Sequence, residues 1–270
     1  MIIDSHCHAW RTWPYEPAVA QPEEHAPLQR AWRELVSWGV SSALVVAARL
    51  TGNSDNNEWL TAQAPAFDGV FAIAADWDSR WLPTYHAPDA DARLGAILRE
   101  MRPQAVAHYL GDADDGWFGE PATDVALALL AEHATPLSLH APPGWRDAVI
   151  GAARRHPGLP IVLHHLAFSG HDDVDDLRAL AACDNVYVKA SGAYYASAAD
   201  SARTLAARTR AAVDLFGPLR VLWGSDHPVA QRRGFDPRVH LEAVAAVLDP
   251  AEQRAVLGDN ARRLFFEEPE

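Results

Sequence analysis

Eight short apolar segments, separated by stretches of helical periodicity, constrain the fold more than any other feature of the chain. The segments are rich in β-branched residues and nearly continuous, as in Ala43–Val46, which is typical of strands buried on both faces of a parallel sheet. They are Ile2–Cys7, Ser42–Ala48, Val70–Ala75, Ala105–Tyr109, Leu137–Leu139, Pro160–His164, Asn185–Val188 and Arg220–Trp223.

Between these segments, apolar residues recur at helical spacing. In the first stretch Leu28, Trp32 and Leu35 share one helix face, and Gly39 is suited to end the helix. The stretches are Leu28–Gly39, Asn56–Ala64, Ala90–Met101, Asp124–His133, Trp145–His156, Val174–Cys183, Ala198–Phe216 and Val239–Leu248, with a short tail helix in Asp259–Phe266. This alternation predicts an α/β fold, a single (β/α)8 TIM barrel over residues 1–270. An open doubly wound sheet is the alternative, and the lack of a glycine-rich dinucleotide fingerprint disfavours it.

Composition limits the classes of function. The 270 residues are 49% hydrophobic and 22% charged, which is typical of a globular protein. The net charge of −13 argues against nucleic acid and against an anionic membrane surface as partners. Two cysteines, Cys7 and Cys183, are too few for a disulfide framework and suit a reducing cytosol. We find no signal-peptide pattern and no apolar run of membrane-spanning length, so we expect a cytoplasmic protein.

Histidines and an aspartate fall at the predicted strand ends. In a TIM barrel the catalytic residues lie at the C-terminal ends of the strands. The first strand ends in His6-Cys7-His8, and strand alternation predicts that the two histidines share one side while Cys7 faces the other. The fifth strand ends before His140, and Asp226 follows the eighth. Imidazoles together with a carboxylate suit a cation such as Zn²⁺, with one position left for water.

The sixth strand ends in two adjacent histidines, His164 and His165. Because successive side chains of a strand point to opposite faces, one of them should face the helices and the other the mouth of the barrel. A lone histidine at a strand end is more often structural. Histidines at three strand ends together with an aspartate at a fourth favour a shared active site.

Five runs of sequence carry a resemblance to a known family. They are His6-Cys7-His8, His140, Val162-Leu163-His164-His165-Leu166-Ala167, Asn185-Val186-Tyr187-Val188-Lys189-Ala190-Ser191-Gly192 and Trp223-Gly224-Ser225-Asp226-His227-Pro228. Together they resemble the amidohydrolase superfamily, and within it the amidohydrolase-2 branch. That branch contains 2-pyrone-4,6-dicarboxylate and sugar-acid lactonases and aminocarboxymuconate-semialdehyde-type decarboxylases. The resemblance covers nearly the whole chain.

The resemblance implies a ligand set for one metal ion. His6, His8, His140 and Asp226 would face the metal, and His165 takes the functional position of the sixth strand. The fourth strand has no lysine that could be carboxylated to bridge two metals, so at most one divalent ion, most simply zinc, is implied. Some lactonase relatives act without a tightly bound metal, so a metal-independent mode is the alternative.

These residues predict a metal-dependent hydrolase that attacks a carbonyl group, in a lactone or an amide. A metal lowers the pKa of a bound water towards neutrality, Asp226 would take the proton of the attacking water, and His165 would polarise the carbonyl or protonate the leaving group. A zinc-dependent non-oxidative decarboxylase on the same site is the alternative. The intact set of ionisable residues argues against a catalytically silent scaffold. For Lys189, the only lysine, a tether near the barrel mouth and a catalytic role both stay open.

Four tryptophans, each following a different strand, fall at the same end of the barrel as the histidines. They are Trp10, Trp77, Trp117 and Trp145. Aromatic walls around a few polar groups predict a small aromatic, conjugated or otherwise apolar substrate. Packing of each tryptophan against the barrel rim is the alternative. A small molecule is therefore the expected partner, and a homodimer is the assembly that we consider.

Overall fold

The computed structural model describes residues 1–16, 23, 25–168, 177–192 and 200–267. Within them, eight parallel strands form one sheet in which each strand pairs with the next along the chain. The strands are β1 (Ile2–Cys7), β2 (Val40–Val46), β3 (Phe71–Asp76), β4 (Ala105–Tyr109), β5 (Leu137–His140), β6 (Ile161–Leu163), β7 (Val186–Ala190) and β8 (Val221–Trp223). All eight predicted strands are confirmed, and the bounds of β1 and β4 agree with the prediction to the residue.

The two ends of the sheet meet. In the segment that follows β8, the carbonyl of His227 accepts from the N–H of His8, and the N–H of Asp226 donates to the carbonyl of His6, both at 2.7 Å. These bonds bring the last strand against the first. The fold is therefore the (β/α)8 TIM barrel that the sequence pattern predicts.

Helices alternate with the strands as predicted. They are α1 (Leu28–Ser37), α2 (Asn56–Gln63), α3 (Ala90–Met101), α4 (Pro121–Glu132), α5 (Arg146–Arg155), α6 (Arg178–Ala181), α7 (Ser201–Phe216), α8 (Val229–Arg232), α9 (Pro237–Ala246), α10 (Pro250–Arg254) and α11 (Asn260–Phe265). Part of the predicted helix Val174–Cys183 lies outside the described residues, and α6 is what the structure describes of it. Among the described helices, none has both the length and the hydropathy needed to cross a membrane.

Two apolar layers follow from the alternation of side chains along the strands. The layer inside the barrel contains Ile3, Leu44, Val46, Ala72, Ala74, Ala105, Ala107, Val162, Leu222 and Phe265. The layer between strands and helices contains Val45, Ile73 and Val106, and it also contains Cys7, as predicted. Burying a Val or Leu side chain stabilises the fold by about 1.5–3 kcal/mol. A slip of one residue would exchange the two layers, so the apolar pattern fixes the face on which each strand-end residue emerges.

Candidate active site

Three of the predicted ligands meet at the C-terminal end of the barrel. His6 Nε2 lies 3.4 Å and His8 Nε2 lies 3.3 Å from the same oxygen of Asp226, Oδ1. All three side chains are buried, and their potential ligand atoms lie within 4.8 Å of one another. One carboxylate therefore faces two imidazoles in surroundings that are largely shielded from water.

A close approach between β1 and the turn after β8 brings Asp226 to His6. Gly224 permits this approach, because a Cβ at that position would lie 2.6 Å from His6 Cβ. Asp226 has a φ of 56°, in the left-handed region that non-glycine residues rarely adopt. The Asp4 carboxylate joins the two segments, since its Oδ1 accepts from the backbone N–H groups of Ser225 and His6, each at 2.9 Å. Burial raises the pKa of Asp4 to about 6.

An irregularity in β1 aims the two histidines. Asp4 pairs with Ala43 of β2 and Cys7 pairs with Val45, so three steps along β1 match two along β2. The extra residue is a β-bulge, which redirects the side chains that follow it. Cys7 consequently packs in the outer layer, and the histidines on either side of it face the site.

The two histidines after β6 both lie inside the barrel, which corrects the prediction that one of them would face the helices. The strand ends at Leu163, and His165, Leu166 and Ala167 all have positive φ, between 53° and 54°. Side chains at these positions therefore do not alternate between the two faces of the sheet as they do within a strand.

His165 and His164 contact different parts of the cluster. His165 Nε2 lies 3.9 Å from Asp226 Oδ2, and its Nδ1 lies 3.0 Å from Ser191 Oγ. The ring of His164 is centred 4.4 Å from the ring of His6, and its Nε2 lies 2.8 Å from Ser138 Oγ. His165 thus reaches the carboxylate, while His164 packs beneath His6.

His140, the fourth predicted ligand, lies beside the cluster rather than within it. Its ring stacks on Tyr109 with centroids 5.1 Å apart, and it is 6.3 Å from the ring of His165. It does not belong to the groups of described side chains whose donor atoms lie within 4.8 Å of one another.

Lys189 is fully buried inside the barrel, next to His6. Its Nζ donates to Ser138 Oγ at 2.8 Å and lies 3.3 Å from His6 Nδ1. Burial lowers the pKa of Lys189 to about 7. The side chain of Lys189 therefore makes polar contacts with Ser138 and His6 inside the barrel.

The cluster holds Asp226 ionised and His165 neutral at pH 7. Burial by itself raises the pKa of Asp226, but the adjoining imidazoles of His165, His6 and His8 outweigh burial and keep that pKa well below its usual value. Burial lowers the pKa of His165 to about 4. In such a pair the carboxylate can accept a proton, and the N–H of the neutral imidazole can donate to a different atom of a substrate.

The donor set of this cluster fits one divalent cation. Two imidazoles and a carboxylate are zinc ligands by type. Within the described residues the buried Nε2 of His6 makes no hydrogen bond. His8 Nδ1 lies 2.7 Å from the carbonyl of Val46, the kind of contact that orients a metal-binding histidine. His6, His8 and Asp226 are therefore the residues that would hold a cation, with His140 at the edge.

A cavity of about 230 Å³ opens beside the cluster. Its polar walls are His8, Arg80, His140, His165 and Asp226, and its apolar walls are Tyr15, Ala48, Leu50, Trp81, Tyr109 and Val229. A larger cavity of about 590 Å³ lies elsewhere, beside His86, Trp117 and the first turn of α4. We assign the candidate site to the smaller cavity, because the charged and imidazole groups converge there.

None of the four tryptophans predicted to hold substrate is among the described residues that line this cavity. Trp10, Trp77 and Trp145 are fully buried, and each donates its indole N–H to a backbone carbonyl. Trp117 is 5% exposed and stacks on His86. Trp10 stacks on His8 at 5.3 Å, so it supports a cluster residue from behind. Trp10, Trp77 and Trp145 therefore pack inside the protein, and Trp117 lines the larger cavity beside His86.

Other aromatic residues form the wall of the cavity. Trp81 and Tyr109 contact each other with ring centroids 4.7 Å apart, and Tyr15 lines the same cavity. Within the described residues the buried Nε1 of Trp81 has no hydrogen-bond partner. Tyr109 could have been found from the sequence, because it alternates with the inward-facing Ala105 and Ala107 at the end of β4.

Comparison with known proteins gives the family. The chain matches the amidohydrolase family over residues 3–266. It is 28% identical over 280 residues to L-fucono-1,5-lactonase from Burkholderia ambifaria, an alignment that covers 98% of this chain and 92% of that protein. The chain therefore belongs to the amidohydrolase family and is an enzyme of that family.

Solved structures of other proteins share this fold. An amidohydrolase from Burkholderia multivorans with bound zinc is 22% identical, with a TM-score of 0.76, covering 98% of this chain and 99% of that one. A Pseudomonas putida protein assigned as a 2-pyrone-4,6-dicarboxylic acid hydrolase is also 22% identical, with a TM-score of 0.77, covering 100% and 98%. At this identity the likeness concerns the fold.

Proposed function

We propose that this enzyme is a lactonase, which hydrolyses the ester bond of a small cyclic ester. The observation that carries the proposal is the ionised, buried carboxylate of Asp226, set against the imidazoles of His6, His8 and His165 at the wall of a small cavity. The lactonase relative, which aligns over nearly the whole chain, supports the same reaction class.

Asp226 and His165 have different roles. Asp226 accepts a proton from the water that attacks the carbonyl carbon, and the same proton then passes to the leaving alkoxide. The neutral imidazole of His165, whose Nδ1 is positioned by Ser191 Oγ, donates a hydrogen bond from Nε2 to the carbonyl oxygen. Loss of such a general acid or base typically slows turnover by about a hundredfold or more.

One divalent cation, of the zinc type, belongs to this proposal. His6, His8 and Asp226 would hold it, and His140 is the further donor that the resemblance implies. When bound, such a cation would supply charge that polarises a carbonyl oxygen and lowers the pKa of water. The metal-independent mode remains the alternative, and measuring turnover after chelation separates the two.

The size and walls of the cavity support a small substrate. A volume of about 230 Å³ suits a single ring with small substituents. Trp81 offers an N–H and an aromatic face, and Tyr15 and Tyr109 add further ring surface. We therefore propose a monocyclic lactone with hydroxyl groups, and place the predicted aromatic contact at Trp81 and Tyr109.

A substrate screen tests the proposal. We would assay five- and six-membered sugar lactones, pyrone carboxylates, simple amides and hydroxybenzoic acids with the purified protein, following acid release. We expect turnover of at least one lactone class and none of the amides. If the protein hydrolysed only amides, or if it released CO₂ from hydroxybenzoic acids and hydrolysed no lactone, the lactonase assignment would be overturned.

A decarboxylase is the second candidate, and Arg80 is the observation that favours it. Its guanidinium lies on the cavity wall and pairs with Asp112 at 2.8 Å, so it could also bind a substrate carboxylate. CO₂ release from hydroxybenzoic acids that is lost in Arg80→Gln would support this candidate over the lactonase.

A further inference from the structure

Two walls of the candidate cavity come from one loop, residues 78–89, which joins β3 to α3. Arg80 and Trp81 of this loop line the cavity. The loop consists of turns and bends, so contacts other than helix or strand hydrogen bonds must hold its shape. On one side the N–H of Arg80 donates to the carbonyl of Tyr109 at 3.0 Å, which sets this part of the loop against β4.

A side-chain hydrogen bond closes the part of the loop that carries these two residues. The hydroxyl of Thr84 donates to Asp78 Oδ1 at 2.5 Å, so the residues on either side of Arg80 and Trp81 are joined. Asp78 is 5% exposed and has a φ of 48°, in the left-handed region that non-glycine residues rarely adopt. A residue keeps such a conformation only where its surroundings hold it there.

Arg93 of α3 holds the same closure from outside the cavity. Its Nε donates to Asp78 Oδ2, its Nη1 donates to Asp89 Oδ1, and its Nη2 donates to the backbone carbonyl of Thr84 at 3.2 Å. The guanidinium is planar and its N–H groups point in fixed directions, so it holds these partners in one arrangement. We call Asp78, Thr84 and Arg93 the loop clamp. None of the three is among the described residues that line the cavity.

We propose that the residues of the loop clamp are positioning residues that hold Trp81 where it meets the substrate. They set the affinity for substrate and take no part in the chemistry, because Asp226 and His165 follow other strands, β8 and β6. The proposal rests on the proposed function only in placing the substrate beside Trp81, and it does not depend on the bond that is broken.

Matched threonine variants test this role with the best substrate of the screen. Thr84→Val removes the hydroxyl and keeps the shape, Thr84→Ser keeps the hydroxyl, and Thr61→Val is the control on α2, where the hydroxyl donates to the carbonyl of Asn57 at 2.9 Å. We expect Thr84→Val to raise KM about three- to tenfold with kcat within about twofold, since a lost hydrogen bond shifts an equilibrium by up to about tenfold and a smaller binding-competent fraction weakens apparent binding in proportion. Thr84→Ser and Thr61→Val should keep KM within about twofold.

An unchanged KM in Thr84→Val, or a loss of kcat at unchanged KM, would overturn the proposal. A second measurement needs no substrate. In ¹H–¹⁵N spectra the indole resonance of Trp81, identified by its absence in Trp81→Phe, should shift in Thr84→Val and stay in place in Thr61→Val. Arg93→Lys keeps the charge but not the planar group, and it should shift the same resonance. A Trp81 resonance that stays in place in both clamp variants would also overturn the proposal. If no lactone were hydrolysed, the lactonase proposal would fail and this spectroscopic result would still stand.

Discussion

Two clusters of histidines lie at the C-terminal end of the barrel, one inside it and one outside. In the inner cluster, His6, His8 and His165 surround the buried carboxylate of Asp226. The outer cluster is an aromatic stack. There, His86 and His108 meet through their Nε2 atoms at 3.2 Å, and their rings stack on Trp117 with centroids 4.2 and 4.7 Å away.

The two clusters lie on opposite sides of the strands that form the barrel wall. His108 lies in β4 between Ala107 and Tyr109, which face the barrel interior, so it points towards the helices. There its partners are the carbonyl of Trp77 and neighbouring rings. Histidines in the inner cluster instead share a carboxylate and a cavity. A histidine inside the barrel can share Asp226 and the cavity, whereas one that points away from the barrel packs among aromatic rings behind the strands.

Tryptophans from the two regions should respond in opposite ways to substitution. Trp117→Ala removes a buried ring of the outer cluster and should lower the free energy of unfolding by about 3–5 kcal/mol, with KM unchanged within about twofold. Trp81→Phe keeps an aromatic ring on the cavity wall but removes a buried N–H that has no partner among the described residues. It should raise KM by up to about tenfold with little loss of stability, because one hydrogen bond is worth roughly 1 kcal/mol.

Measuring the free energy of unfolding in urea and the KM of both tryptophan variants makes this comparison. A larger rise in KM for Trp117→Ala than for Trp81→Phe would instead indicate that the substrate binds at the tryptophans predicted from the sequence.

Substitution of histidines in the two clusters should have different effects on kcat. His165→Ala should lower kcat by about a hundredfold or more, because it removes the hydrogen-bond donor that polarises the carbonyl group. His108→Gln should leave kcat within about twofold, since His108 lies behind the strand. His164→Ala provides a neighbouring control inside the barrel. Loss of turnover in His164→Ala but not in His165→Ala would show that the roles of the two adjacent histidines are reversed.

The outer cluster should make the fold sensitive to acid. Burial lowers the pKa of His108 to about 3 from 6.5. Between these values the unfolded chain binds a proton that the folded protein does not, so stability is lost as the pH falls below about 6.5. At pH 5 this single group should reduce the free energy of unfolding by about 2 kcal/mol relative to pH 7. His108→Gln should remove that part of the dependence, and an identical pH dependence in both proteins would contradict this reading of the cluster.

The barrel and the core of the site follow from local sequence patterns. Each strand is buried on both faces and reads as an apolar run, which is why all eight could be located. Strand alternation also predicted that His6 and His8 would share one side with Cys7 on the other, and the structure confirms it. The position of Asp226 opposite them follows from barrel closure, which places the end of β8 beside the end of β1.

The remaining parts of the site depend on features that have no local signature. Positive φ values at His165, Leu166 and Ala167 are unusual for non-glycine residues, so sequence gave no reason to expect both histidines inside the barrel. The four tryptophans predicted to hold substrate follow four different strands, but tertiary packing places them away from this cavity, and another residue, Trp81, lines it. The single zinc ion, the cytoplasmic location and the homodimer stay predictions.

The central claim is that the buried carboxylate of the inner cluster carries the chemistry, and Asp226→Asn tests it most directly. The substitution keeps the shape of the side chain and removes the proton acceptor. Asp68→Asn makes the same chemical change at an exposed turn residue and serves as the control. With the best lactone from the screen, kcat of Asp226→Asn should fall by about a hundredfold or more while that of Asp68→Asn is unchanged. A folded Asp226→Asn protein that turns over this lactone at the rate of the unaltered enzyme would contradict the account.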